Sequence, residues 1–153
     1  MTTFTPSSTR RVDALHPLVA ALLGAAAFAL SLTAGDVLDL NREGPEAPAT
    51  SLTDVLAYAG LVLTAVLLAV WLGRRARAGT PDRLARYALG LAVGSVVTFV
   101  VFWSGWPQVL GAVSLALALE HRRRIGGFTA LSGAAAAVGT LGLTSSVILC
   151  LLG

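Results

Sequence analysis

Charged residues are scarce in this chain of 153 residues: they make up only 12% of it, whereas 56% of the residues are hydrophobic. An average soluble domain carries about 25% charged residues, which help to cover its surface. The mean hydropathy of +0.79 points the same way. These values exclude an ordinary cytoplasmic enzyme, a disordered segment and a nucleic-acid-binding module. They predict an integral membrane protein.

Sequence signals for chemistry are also missing. The single Cys150 cannot form a disulfide within the chain. There is no Gly-x-Ser-x-Gly, His-Glu-x-x-His or phosphate-binding glycine loop, and no convergent set of metal ligands is indicated. We therefore expect no catalytic, cofactor-binding or metal-binding residues and no enzymatic activity. An enzyme would require Asp54, or the pair Glu120 and His121, to face a substrate.

Long apolar runs take the place of these motifs. A membrane-spanning helix needs about 20 apolar residues, because each residue adds about 1.5 Å and the hydrocarbon core is about 30 Å thick. The runs predict an all-α integral membrane bundle within residues 17–152, with helices at about 17–34, 52–73, 84–103, 106–121 and 128–152.

The predicted fourth helix is the short one. It spans the core only if the polar tips of Glu120 and His121 reach the interface. The predicted fold therefore has five transmembrane helices, with four as the alternative. Residues 1–16 form a polar cytoplasmic tail in this prediction, and residues 35–51 form an acidic outer loop.

The arginines orient the predicted bundle. Lysine is absent, so all 11 basic residues are arginines. With five spans and a cytoplasmic amino terminus, every arginine except Arg42 falls on the cytoplasmic side, as the positive-inside rule requires. A cleavable signal peptide is the competing interpretation of the first run, but Leu32 stands where a small residue belongs. We expect a multi-pass protein of the cell (plasma) membrane whose carboxyl terminus is extracytoplasmic.

Aromatic and basic residues at the ends of the runs predict contacts with the membrane interface. Tryptophans favour this zone, and arginine clusters attract anionic lipid headgroups. The predicted anchors are Trp71, Trp103, Trp106, Arg74, Arg75, Arg122, Arg123 and Arg124.

Small residues recur at helical spacing in every run. Apolar helices gain little hydrophobic energy from contact within lipid, so close approach of backbones at small residues drives their association. The candidate helix-packing residues are Gly24, Gly60, Gly90, Gly94, Gly111, Gly133 and Ala137. Most of them predict packing within the bundle, but the stripe on the fifth helix is also a candidate docking face for a partner or a second copy.

The last third of the chain combines a glycine-containing helix, an arginine cluster and a Gly/Ala-rich helix. This segment, GAVSLALALEHRRRIGGFTALSGAAAAVGTLG, resembles the two-helix membrane domains of uncharacterised small multi-pass actinobacterial membrane proteins. The resemblance implies a source and a class of protein, and it brings no catalytic residues.

The sequence predicts a function of low chemical specificity. We expect a non-enzymatic accessory protein or subunit that acts through helix–helix association with another membrane protein or with itself. The alternative is an oligomeric transporter of small solutes or ions, in which Ser/Thr stripes and helix ends line the path. The expected partners are membrane lipids and protein, not nucleic acid, and no cofactor is expected.

Overall fold

The structure is a computed structural model that describes residues 16–37 and 51–152. These residues are helical apart from short turns and contain no strand, which confirms the all-α prediction. The elements are α1 (Pro17–Val37), α2 (Leu52–Arg77), α3 (Pro81–Val97), a 3-10 helix (Thr98–Ser104), α4 (Trp106–Ile125) and α5 (Ala130–Leu152). The predicted tail, apart from its last residue, and the centre of the predicted acidic loop lie outside the described residues.

Local capping explains where the helices begin. Ser51 starts α2 with a capping box, since its hydroxyl accepts from the Asp54 amide and its own amide donates to the Asp54 carboxylate. Thr80 caps α3 and Pro81 occupies its first turn, where the missing N–H is not needed. For this reason α3 begins at Pro81 and not at the predicted residue 84.

Four of the helices are long and apolar enough to cross a membrane, which indicates a membrane protein. Their mean hydropathy lies between 1.8 and 2.4 over the segments Pro17–Gly35, Leu52–Arg77, Pro81–Val101 and Ala130–Leu152. The helix α4 is not among them, because Glu120 and three arginines crowd its last turns. The predicted count of five spans therefore exceeds by one the number that apolar composition supports.

The helix α4 lies at the centre of the bundle and packs against α1, α2, α3 and α5. Eleven of its 20 residues are buried. In α2, by contrast, residues 52–61 are all exposed, and its buried residues begin at Ala65. The least apolar long helix is thus the one that the other four cover.

Close helix contacts occur at glycines on two sides of α4. A methyl group at Gly24 of α1 would lie 2.6 Å from the Gln108 carbonyl oxygen, and one at Gly111 would lie 2.8 Å from the Gly139 carbonyl oxygen. Real side chains do not approach backbone atoms so closely, so α1 and α5 reach α4 at these points only because the residues are glycine.

The turn between α3 and α4 also requires a glycine. Within the 3-10 helix, Val101 leaves helical geometry (φ −118°, ψ 46°), and the chain reverses at Gly105 with a φ of +74°. A Cβ at Gly105 would lie 2.9 Å from Val62 and 3.0 Å from Phe28. The helix α3 ends at Val97, earlier than the predicted residue 103, because the chain continues from Thr98 as the 3-10 helix that leads into this break.

We expect Gly24→Ala to lower the free energy of unfolding by about 1–3 kcal/mol, because the added methyl group would overlap the α4 backbone. The matched control is Gly90→Ala in α3, where a methyl group meets no atom within 4 Å. Alanine is the better helix former, so this variant should gain up to about 1 kcal/mol. Thermal unfolding in detergent measures both. Equal losses in the two variants would contradict the contact between α1 and α4.

Candidate functional site along the central helix

Polar side chains are buried along the full length of α4. Gln108 near its start and Ser114 in its middle are each 0% exposed, and His121 near its end is 1% exposed. Polar groups inside a membrane bundle are costly, and they face the interior when they occur. This row of residues is the candidate functional site.

Two serines join α4 to its neighbours through satisfied hydrogen bonds. The Ser114 hydroxyl lies 2.8 Å from the Ala88 carbonyl oxygen of α3 and 3.3 Å from the Ala135 carbonyl oxygen of α5. The Ser95 hydroxyl of α3 donates to the Pro107 carbonyl oxygen of α4 at 2.8 Å. These bonds fix α3, α4 and α5 as a unit, and they account for both serines structurally.

Gln108 is not satisfied in the same way. Its Nε2 atom lies 3.4 Å from the Cys150 sulfur, which is a weak acceptor. Its buried Oε1 atom accepts no hydrogen bond from the described residues. Ser31 of α1 also approaches the Cys150 thiol, so α1, α4 and α5 meet at this point. A buried carbonyl oxygen without a donor costs about 1–3 kcal/mol, so Gln108 is the most conspicuous polar group of the interior.

His121 lies at the opposite end of α4, beside a small ion cluster. Its Nδ1 atom is buried and has no hydrogen-bond partner among the described residues. The neighbouring Glu120 carboxylate pairs with Arg124 at 3.1 Å and with Arg77 of α2 at 3.8 Å. Arg124 also donates to the Arg77 carbonyl oxygen at 3.2 Å. The cluster ties the last turns of α2 and α4 together.

The arginines of the described residues gather at this same end of the bundle. They lie in the last turns of α2, the first turns of α3 and the last turns of α4: Arg74, Arg75, Arg77, Arg83, Arg86, Arg122, Arg123 and Arg124. The chain turns between helices here, so residues far apart in sequence form one basic surface.

Aromatic rings accompany several of these arginines. Arg75 lies 5.6 Å from the ring centre of Trp71, and Arg122 lies 5.0 Å from that of Phe128. Such cation–π pairs suit the membrane interface, where one side of the pair is apolar and the other is wet. Trp103 is exposed and Trp106 half-buried at the opposite end of the bundle.

The small residues predicted to pack helices lie in different surroundings. Gly24 and Gly111 lie against neighbouring backbones, and a methyl group at Gly94 would make an ordinary contact with Leu110 at 3.4 Å. A methyl group at Gly60 or Gly90 would meet no atom within 4 Å, and one at Gly133 would meet only Phe128 at 3.9 Å. The seventh residue, Ala137, is exposed.

Sequence reasoning missed Gln108 and the burial of His121. The chain contains a single glutamine, and its position in the shortest predicted helix was a usable signal for a buried polar group. His121 was expected near the interface because Glu120 and three arginines surround it in sequence. Its burial follows from the packing of the neighbouring helices around α4, and no property of the segment itself indicates this.

Neither a metal centre in the described residues nor a known relative points to a function. The residues that the structure describes contain no group of three or more His, Cys, Asp or Glu side chains arranged to hold a metal ion. No protein-family model, curated protein or solved structure matches the chain. The function must therefore be argued from the geometry of this bundle.

We expect Gln108→Met to raise the free energy of unfolding by about 1 kcal/mol, since it removes a buried carbonyl oxygen without a donor and keeps the shape of the side chain. Ser114→Ala is the control, and it should lose about 1 kcal/mol because its hydroxyl bonds two neighbouring helices. Chemical unfolding in detergent compares them. A loss in Gln108→Met as large as that in Ser114→Ala would show that the Oε1 atom has a partner.

Proposed function

We propose that the protein is a non-enzymatic subunit or accessory of a membrane assembly and that it acts by helix–helix association. One observation carries the proposal: the small-residue stripe of α5 faces away from the bundle. This outward stripe consists of Gly133, Ala137, Thr140 and Thr144.

The position of the outward stripe follows from the burial pattern of α5. The buried residues of the helix are Ser132, Ala135, Gly139, Gly142, Ser146 and Cys150. Successive residues turn by about 100° in an α-helix, which places this buried face on the side opposite the outward stripe. Ala137, Thr140 and Thr144 are exposed, and Gly133 is partly exposed.

The chemistry of the outward stripe suits a second helix. The Thr140 hydroxyl donates to the Ala136 carbonyl oxygen at 2.7 Å, and the Thr144 hydroxyl donates to the Thr140 carbonyl oxygen at 2.9 Å. The hydroxyls are therefore satisfied within the helix, and no polar group prevents close approach. Small side chains let two backbones pack tightly in lipid, which is the main source of helix association there.

A second free face supports the same function. On α2, the residues Ala57, Gly60 and Thr64 are all exposed and point away from the buried face, which consists of Ala65, Val66, Ala69, Gly73 and Ala76. Two helices thus present small residues outward, whereas the Gly24 and Gly111 contacts serve the bundle itself.

We also propose that α4 crosses the membrane, which gives five spans. Its 20 residues measure about 30 Å, the thickness of the hydrocarbon core. It contacts α3 near one end through Ser95, and α2 near the other through Arg77. Because its neighbours cover it, α4 does not need the hydropathy of a lipid-facing helix.

The arginine end is proposed to be cytoplasmic, in the cell membrane, by the positive-inside rule. This orientation places the start of α1 inside and the end of α5 outside. The alternative function, transport of a small solute or ion, has less support. Such a path along α4 would have to pass the close contacts at Gly111 and Gly139.

We expect Ala137→Leu to reduce the amount of associated protein by about tenfold, because a bulky side chain in the outward stripe costs about 1–3 kcal/mol of packing. The readout is cross-linking in native membranes, followed by purification in mild detergent. Ala134→Leu is the matched control: it is the same substitution on an exposed position of the same helix, outside the outward stripe. Unchanged association in Ala137→Leu would refute this role of α5.

A cysteine-labelling experiment tests the five spans. In a Cys150→Ser background, Trp103→Cys should react with a membrane-impermeant thiol reagent on intact cells. Ile125→Cys should react only after permeabilisation, because α4 carries the chain across the membrane between the two exposed positions. Labelling of both in intact cells would mean four spans, and the reverse pattern would overturn the orientation.

A further inference from the structure

An apolar groove runs along one side of α4, between α1 and α5. Its volume is about 230 Å³. The lining side chains are all aliphatic or small: Ala20, Leu23, Gly24, Ala27, Ala112, Leu115, Ala116, Leu119 and Leu143. We call this the apolar groove. It is open because α1 and α5 converge nearer the other end, at Ser31 and Cys150.

A second cavity continues the apolar groove towards the arginine end of the bundle. It has a volume of about 400 Å³ and is lined by Leu119, Arg122, Arg123 and Gly126. We call it the basic pocket. Leu119 lines both cavities, so a molecule with an apolar chain and a polar head can occupy them together. From Ala112 to Arg122 the two cavities follow α4 for about 15 Å.

The arginines of the basic pocket are available for a ligand. Glu120 is engaged by Arg77 and Arg124, so it does not neutralise Arg122 or Arg123. Arg122 contacts the Phe128 ring, and Arg123 has neither an ion pair nor a hydrogen bond with the described residues. Two guanidinium groups at the mouth of a cavity attract phosphate, which they bind with paired N–H donors.

We propose that the apolar groove and the basic pocket together form a binding site for an anionic phospholipid. The phosphate headgroup lies against Arg122 and Arg123, and one acyl chain lies in the apolar groove beside Leu115 and Leu119. Basic pockets at the cytoplasmic ends of membrane helices bind such headgroups.

Charge argues against two other occupants of the site, namely the amino-terminal segment of this chain and a second copy of the protein. The first 15 residues of the chain carry Arg10 and Arg11 against a single acidic residue, Asp13. A second copy of the protein would bring another arginine-rich end. Both have the same sign of charge as the basic pocket, whereas an anionic lipid has the opposite sign.

The test is native mass spectrometry of the full chain in mild detergent, with phosphatidylglycerol or phosphatidylcholine of identical acyl chains. Wild type should retain phosphatidylglycerol in preference. The double variant Arg122→Gln/Arg123→Gln should lose this lipid by about 30-fold, since each arginine near a headgroup contributes about fivefold. The matched control Arg74→Gln/Arg75→Gln removes the same charge at the same end of the bundle, outside the basic pocket, and should lose far less.

Two further measurements separate the contribution of the lipid's acyl chain from that of its headgroup. Ala112→Phe fills the apolar groove and should lower retention of phosphatidylglycerol, whereas Ala134→Phe on the exposed face of α5 should not. Inorganic phosphate should not displace the bound lipid, because it lacks the acyl chain. Circular dichroism and size-exclusion profiles confirm that each variant is folded.

Three results would overturn the proposal. Equal losses in the two arginine double variants would mean general attraction to the basic surface. Displacement by inorganic phosphate would mean that the apolar groove contributes nothing. A lipid-free dimer that Arg122→Gln/Arg123→Gln disrupts would mean that a second copy occupies the site.

Discussion

The architecture depends on one constraint: α4 is too polar to face lipid along its length, so the other helices must cover it. The helix α4 carries Gln108 near its start, and Glu120, His121 and three arginines near its end. A polar side chain at lipid-facing positions of this helix would cost several kilocalories per mole, because hydrocarbon offers no hydrogen bonds. The four apolar helices remove this cost for Gln108, Ser114 and His121 by surrounding α4, whereas the arginines lie exposed at the end of the bundle. The serines of α3 and α4 hold the arrangement together. Glycines at the contact points allow α1 and α5 to pack directly against the α4 backbone.

The same arrangement determines which surfaces are left for other molecules. Four helices that turn one face inward present their other faces outward, and on α2 and α5 those faces carry small residues. The cover also has a gap between α1 and α5, where α4 is reached from the outside beside the arginine end. The surfaces proposed for a protein partner and for a lipid are therefore separate on the bundle. The protein-association proposal rests on the faces of α2 and α5 that point away from α4, whereas the lipid proposal rests on the part of α4 that its neighbours leave open.

The sequence predicts the helices well because each one depends on its own residues. Apolar runs set their positions, and Ser51, Thr80 and Gly105 set where individual helices begin. The sequence does not predict that α4 is enclosed. Hydropathy is a property of one segment, whereas the burial of α4 depends on how the other four helices pack around it. Small-residue spacing has the same limit: Gly24 and Gly90 look alike in sequence, yet only Gly24 lies against another backbone. The sequence shows that Gln108 is the single glutamine. Only the packed bundle shows that its Oε1 atom is buried and accepts no hydrogen bond from the described residues.

The enclosure of α4 is tested most directly by labelling the unmodified protein with a carbene reagent dissolved in the lipid phase of its membrane. Mass spectrometry then maps the labelled residues helix by helix. We expect heavy labelling of α2 and α5, and little labelling of α4 outside the apolar groove residues such as Leu115 and Leu119. Labelling of α4 around its circumference, at the level found in α2, would contradict this expectation.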